Sequence, residues 1–256
     1  MNYKKMKYKE YLTCKPLDII GFHSTKNCIS KIISCCEQCV DNKGYFTHCG
    51  IVIDANIIKT LKTKISFNNC VLCCSHEIEK NKIITLDDNK LYILEATSSG
   101  TINTCCCTYN TGYPGSLESP TGEIGVQIRP LYDVIRYHIE NGSTVFVRQM
   151  TTIQRNSILA DIELKNRIQE YIKSEIDAMY QCNPLILMVS VFNCLDFICP
   201  NCCKQAIFCS KLVAEVIKLF SNDISEIDNP KYITPDDLFF KCKKIPYFDM
   251  FRIELQ

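Results

Sequence analysis

Short runs of apolar and β-branched residues alternate with polar turns along this chain, and they predict a series of strands. Residues 16–22 (PLDIIGF), 45–54 (YFTHCGIVID) and 91–96 (LYILEA) are rich in the residue types that strands favour. The runs GVQIR at 125–129 and TVFVRQM at 144–150 predict two more strands.

A different apolar spacing predicts helices between and after these strands. Ser24 could cap a helix over residues 26–39, and residues 153–180 form an amphipathic pattern that one break would interrupt. Residues 205–220 predict a further helix, and 235–242 open like one, with a proline near the first turn. Clustered strands flanked by helices, without regular strand–helix alternation, predict an α+β fold.

The chain shows no repeat and no linker rich in proline and glycine, so a single domain over residues 1–256 is expected. Its polar or irregular stretches near 56–90, 98–124 and 184–203 are interpreted as loop insertions, and the first of them could hold a hairpin extension of the sheet. The apolar run 184–200 is shorter than a spanning helix and contains Asn193 and Asp196. It predicts a buried helix or a pocket wall, and no transmembrane segment.

Charge gives little indication of a partner. The formal net charge is +1, and 46% hydrophobic with 22% charged residues is ordinary for a globular domain. No strong basic balance exists that would predict nucleic-acid binding.

Cysteine is the unusual residue, with 19 in the chain. The first residues, MNYKKMKYKEYLTCK, have no apolar core of the kind that a secretory signal needs. The number is odd, so the cysteines cannot all pair within the chain, and most are interpreted as small buried hydrophobes in a reducing compartment. A cytoplasmic location follows as an expectation, or the virion or host cytoplasm if the source is viral.

Cys209 is the candidate nucleophile because it lies in the first turn of the predicted helix over 205–220. The positive end of a helix dipole stabilises a thiolate and lowers the thiol pKa. The plain alternative is one more buried cysteine. Cys202 and Cys203 lie close by, but in a polar NCCKQ segment without an apolar helix behind it.

His48 and Glu95 are the candidate partners. His48 lies in a predicted strand next to Gly50, which leaves room for a ligand or another chain to approach, whereas His76 and His138 look peripheral. Glu95 is costly to bury alone in the apolar YILEA strand, so it could orient the imidazole if the two strands are neighbours. A core histidine and an edge glutamate facing water are the alternatives.

The order of these motifs resembles the circularly permuted branch of the NlpC/P60 papain-like superfamily, which includes YiiX/YebB-like hydrolases and a poxvirus family of predicted amidases. The resemblance runs from PLDIIGF through THCGIVI, YILEA, GVQIRPL and IFCSKLV to ITPDDL, over residues 18–238. It implies an antiparallel sheet packed against helices, with the nucleophile at a helix N-terminus. It assigns a catalytic triad to Cys209, His48 and Glu95.

The resemblance also implies acyl chemistry. A cysteine hydrolase or acyltransferase would cleave an amide or ester through a thioester, with a lipid, acyl-amino-acid or peptide amide as substrate and without a cofactor or metal. Two alternatives remain: a catalytically inactive cysteine-rich scaffold of the same fold, and a zinc-binding or redox protein. The hypothesis of a zinc-binding or redox protein rests on the CxxC pairs, which are Cys36 with Cys39, Cys70 with Cys73, and Cys199 with Cys202.

Overall fold

The computed structural model describes residues 4–7, 14–24, 45–66, 79–97, 101–103, 108–110, 125–176, 209–221, 233–241 and 247–254. The strands within these residues are β1 Lys4–Lys7, β2 Ile19–His23, β3 His48–Ile53, β4 Thr60–Ser66, β5 Glu79–Thr85, β6 Tyr92–Thr97, β7 Thr101–Asn103, β8 Thr108–Asn110, β9 Gly125–Pro130, β10 Thr144–Met150 and β11 Tyr247–Glu254. The helices are α1 Leu131–Glu140, α2 Thr152–Ala160, α3 Ile162–Glu175 and α4 Cys209–Phe220, followed by a π-helical turn at Asp237–Lys241.

Seven of the strands form one sheet in the order β1-β11-β10-β2-β3-β6-β9. Neighbouring strands are antiparallel except for β1 and β11, which are parallel. The predicted α+β class with an antiparallel sheet and packed helices is therefore confirmed. β3 and β6, which the sequence predicts as separate strands, are neighbours in this sheet, and β6 lies next to the edge strand β9.

The two faces of the sheet bury different helices. One face packs Ile51, Leu94 and Ile128 against α4, and α3 joins the same core. The other face packs Val52, Ile93 and Val147 against α1. Because successive residues of a strand point to opposite faces, the position of each residue along β3, β6 and β9 decides which core it enters.

The long amphipathic pattern over 153–180 is broken once, as predicted, at Asp161. This residue ends α2 and caps α3, where its carboxylate accepts a hydrogen bond from Leu164 N at 2.9 Å. A short acceptor side chain at this position satisfies an N–H group that the helix leaves unpaired. Residues 177–180 lie outside the described residues.

Asp18 anchors the start of β2 in a buried ion pair. Its carboxylate is fully buried and accepts hydrogen bonds from Lys15 N at 2.8 Å, from Met150 N at 2.9 Å and from the guanidinium of Arg155. Arg155 also donates to Pro16 O at 2.8 Å. A buried charge is tolerated here because it is both paired and hydrogen-bonded.

The predicted insertions have different outcomes. The stretch 56–90 contains the antiparallel pair β4–β5, which forms a separate two-stranded sheet and does not extend the seven-stranded one as expected. The stretch 98–124, expected as a loop, contains the pair β7–β8. The predicted helix over 26–39 and the insertion 184–203 lie outside the described residues. Among the helices that are described, none has the length and apolar character needed to cross a membrane.

Candidate active site

His48 is the first residue of β3 and lies at an end of the sheet. The registered pairs between β3 and β6 run from Ile53 opposite Tyr92 to Ile51 opposite Leu94, so His48 stands beyond them. On its other side it pairs with Phe22 of β2, and the two rings stack with centroids 5.4 Å apart. The side chain is 16% exposed, which leaves the imidazole partly accessible.

Glu95 is fully buried on β6 and forms an ion pair with His48. The distance from His48 Nε2 to Glu95 Oε2 is 2.6 Å, which is short enough for a charge-assisted hydrogen bond. Leu94 and Ala96 on either side face α4, so Glu95 points to the α1 face. The alternative of an edge glutamate facing water is thus ruled out by its burial.

A second layer of polar groups lies behind Glu95 on β9. Arg129 Nε is 3.6 Å from Glu95 Oε1 and donates a hydrogen bond to Gln127 Oε1 at 2.5 Å. Glu95 Oε1 itself is buried and accepts no hydrogen bond from any residue that the structure describes. Burial raises the pKa of Glu95, but the hydrogen bond from His48 and the charge of Arg129 outweigh it, and the pKa lies below its ordinary range.

Cys209 is the first residue of α4 and is 4% exposed. It belongs to the core on the α4 face, together with Cys49. Its thiol hydrogen bonds with Cys49 and with His48, so α4 reaches the imidazole around the end of the β3–β6 pairing. Because Glu95 occupies Nε2 of His48, Nδ1 is the ring nitrogen that remains for the sulfur.

These contacts favour the charged form of both groups. Hydrogen bonds from Cys49 lower the pKa of Cys209; burial opposes them, and the charge and hydrogen bond of His48 lower the pKa further. Burial lowers the pKa of His48, but Cys209 and Glu95 together raise it to about 10. Both shifts favour the thiolate–imidazolium form, which is the form in which a cysteine is nucleophilic.

His138 is not peripheral, and the interpretation from sequence is wrong at this point. It lies on α1 with its ring centroid 4.1 Å from Phe22 and 6.4 Å from His48. Burial and the nearby charge of His48 lower its pKa to about 3, so it stays neutral. Its position on a helix that the sequence did not predict hid this contact.

Gly50 meets one of its two expectations, because another part of the chain, β6, approaches it closely. The space next to it takes no ligand, because a Cβ at this position would lie 2.6 Å from Cδ1 of Ile93 and 3.0 Å from Leu94 O. Glycine is required here for the close approach of β3 and β6.

The cysteines of the zinc alternative lie outside the described residues, as do His76, Cys202 and Cys203. In the part of the chain that is described, no group of three or more histidine, cysteine, aspartate or glutamate side chains could hold a metal ion. The three cysteines whose state is described, Cys14, Cys49 and Cys209, form no disulfide with one another.

The structure thus brings Cys209, His48 and Glu95 together, and it adds Cys49, Arg129, Gln127 and His138 around them. Comparison with protein-family models gives no match for this chain, and comparison with curated proteins gives none either.

Proposed function

We propose that this protein is a cysteine hydrolase or acyltransferase with a circularly permuted NlpC/P60 papain-like fold, acting on an amide or ester bond. The observation that carries the proposal is the chain of contacts from the Cys209 thiol to His48 and from His48 Nε2 to Glu95 at 2.6 Å. A histidine that only fills the core is satisfied by one hydrogen-bond partner. Here Glu95 holds one nitrogen of the His48 ring, and the other side of the ring meets the Cys209 thiol at the start of α4.

Each residue has one role in the proposed reaction. The Cys209 sulfur attacks the carbonyl carbon and forms a C–S bond, while the protonated His48 donates its proton to the departing amine or alcohol as the C–N or C–O bond breaks. Cys209 lies at the described start of α4, where its N–H would donate a hydrogen bond to the oxyanion. Water or another acceptor, deprotonated by His48, then attacks the thioester and releases the acyl group and the thiolate.

Glu95 holds the imidazole in one orientation and stabilises its positive charge in the resting state. Arg129 in turn balances the buried carboxylate from β9. The substrates proposed from the family resemblance are lipids, acyl-amino acids and peptide amides.

Thiol reactivity across pH tests the proposal, and Cys14 provides an internal reference. Cys14 is 3% exposed, nearly the same as Cys209 at 4%, but burial and the nearby charge of Asp18 raise its pKa to about 12. A difference in alkylation rate between these two sites therefore reports thiolate content rather than access.

We expect iodoacetamide to modify Cys209 from pH 5 to 9 and to leave Cys14 unmodified, with sites assigned by peptide mass spectrometry. His48→Ala should abolish the modification of Cys209 at low pH, and Cys14→Ala should leave it unchanged. Wild-type protein would then be mixed with lipid, acyl-amino-acid and peptide esters and amides, and intact mass would detect the acyl-enzyme. If Cys209 reacts no faster than Cys14 at pH 6, the scaffold alternative replaces the enzyme.

A further inference from the structure

Residues 233–240, here called the clasp, join the two elements that carry the candidate nucleophile and base. The clasp contains the ITPDDL motif, to which the proposed chemistry gives no role. Thr234 and Asp237 hold its first turn by two reciprocal hydrogen bonds, from Thr234 N to Asp237 Oδ2 at 2.9 Å and from Asp237 N to Thr234 Oγ1 at 3.2 Å. This pattern fixes a helix start and makes the segment a rigid unit.

One end of the clasp binds the backbone just before His48. Asp236 is 5% exposed, and its carboxylate accepts hydrogen bonds from Phe46 N at 2.6 Å and Tyr45 N at 3.0 Å. The following residue, Thr47, is fixed from the other side, where its N–H donates to Phe22 O at 2.9 Å. The three residues that lead into His48 are thereby held from two directions.

The other end of the clasp binds the first turn of α4. Ser210, the residue after Cys209, is 3% exposed and donates its hydroxyl to Ile233 O at 2.5 Å. A single short segment therefore contacts the neighbours of both reacting side chains.

The clasp is also fixed to the sheet, so it cannot shift as a whole. Arg148 of β10 donates to Leu238 O at 2.5 Å, and Phe239 stacks on Phe46 with ring centroids 4.2 Å apart. Phe239 fills the space above Gly21, where a Cβ would come within 2.6 Å of its ring. Close packing of this kind transmits position because a packed core yields little.

We propose that the clasp sets the distance between Cys209 and His48, and that Asp236 is a positioning residue for the thiol–imidazole pair. The inference rests on the proposed function. Asp236 suits this role because one carboxylate ties two consecutive N–H groups, which fixes both the place and the direction of the chain entering β3. Asparagine has the same shape but one acceptor oxygen, so it would leave one N–H facing an amide group.

The substitution Asp236→Asn leaves unaltered the groups that act directly on the Cys209–His48 pair. The titratable and charged groups that face it come from four elements, namely Cys49 of β3, Glu95 of β6, Arg129 of β9 and His138 of α1. All of them remain in Asp236→Asn, so an effect on the pair would arise through position.

The test compares Asp236→Asn with Asp54→Asn. Asp54 follows the other end of β3, is also buried, and its carboxylate accepts hydrogen bonds from the N–H groups of Asn56 and Ile57, each at 3.1 Å. Iodoacetamide labelling of Cys209 would be measured from pH 5 to 9 in wild type and both variants, together with the thermal midpoint of each.

We expect Asp236→Asn to lower the labelling rate at pH 6 by about tenfold or more, since small displacements of reacting groups cost up to a hundredfold. Asp54→Asn should lower the thermal midpoint without changing the pH profile. A profile of Asp236→Asn that matches wild type overturns the inference, as does an equal loss in both variants. If wild type itself shows no reactive Cys209 at pH 6, the proposed function fails first, so the two failures are distinguishable.

Ser210→Ala replaces Asp236→Asn in this test if the latter does not fold. It removes only the hydroxyl that ties α4 to Ile233. The same loss of labelling at pH 6 is expected, and an unchanged profile in the folded variant overturns the inference.

Discussion

Replacing Glu95 by glutamine isolates the charge of the carboxylate, because the two side chains have nearly the same shape. The amide oxygen can still accept the hydrogen bond from His48 Nε2, which now meets Oε2 at 2.6 Å. The tautomer and orientation of the ring are therefore kept, and only the stabilisation of the imidazolium is lost.

The size of this loss follows from the burial of the pair. Glu95 is 1% exposed in its side chain and His48 is 16% exposed, so water screens the contact little. A hydrogen bond to a charged group contributes about 1.5–3 kcal/mol. At about 1.4 kcal/mol per pKa unit, the pKa of His48 should fall by about one to two units from its value of about 10.

The assay is the pH titration of the His48 ring protons by NMR between about pH 6 and 11. We expect the titration midpoint of His48 in Glu95→Gln to lie about one to two pH units below that of wild type. Asp18→Asn is the control, since it removes the carboxylate of another buried ion pair, with Arg155. Asp18 lies four residues along β2 from Phe22, about 13 Å at 3.3 Å per residue. Identical profiles for Glu95→Gln and wild type would refute the reasoning.

Three further predictions concern the same region. Cys49→Ala should raise the pKa of Cys209, because hydrogen bonds from Cys49 are the largest cause of its low value, and labelling at pH 6 should slow while labelling at pH 9 is kept. Gly50→Ala should lower the free energy of unfolding by about 1–3 kcal/mol, because the added methyl group overpacks against Ile93. Adding Ile93→Val should restore part of this free energy, and urea unfolding of both variants measures it. The contribution of the Cys209–His48 pair to stability should be constant between pH 6.5 and 9, the ordinary pKa values of the two groups, because the folded and unfolded states then bind equal numbers of protons. Above pH 9 this contribution should decline, because His48, with its pKa of about 10, loses a proton that only the folded state still holds. Below pH 6.5 it should also decline, because the unfolded state then binds a second proton. The difference in urea unfolding free energy between wild type and the double alanine variant, followed from pH 5 to 11, measures this, and a difference that rises steadily with pH contradicts it.

The strands that border the site could be predicted because each has a local signature. β3, β6, β9 and β10 coincide closely with apolar runs of the sequence, and Glu95 was identified because a carboxylate stands out in such a run. Cys209 was identified by its place at the start of an apolar helical stripe. Each of these signals comes from residues that lie close together in the sequence.

The surroundings of the triad could not be predicted, since they depend on pairing between distant strands. α1 begins directly after β9 without a linker, so the change from strand to helix at Leu131 was missed, although Leu131, Val134 and Ile135 have helical spacing. Without α1, His138 had no place near the site. Arg129 and Asp236 meet their partners only through strand register and chain packing, which no local pattern contains.

The distance along the chain between the members of the site has a consequence for folding. His48 and Glu95 are 47 residues apart, and Cys209 is contributed by a helix much later in the chain. Until the sheet has closed and α4 has docked, all 19 cysteines are ordinary thiols that react alike. Under the proposed function, Cys209 would therefore become reactive only when folding is complete.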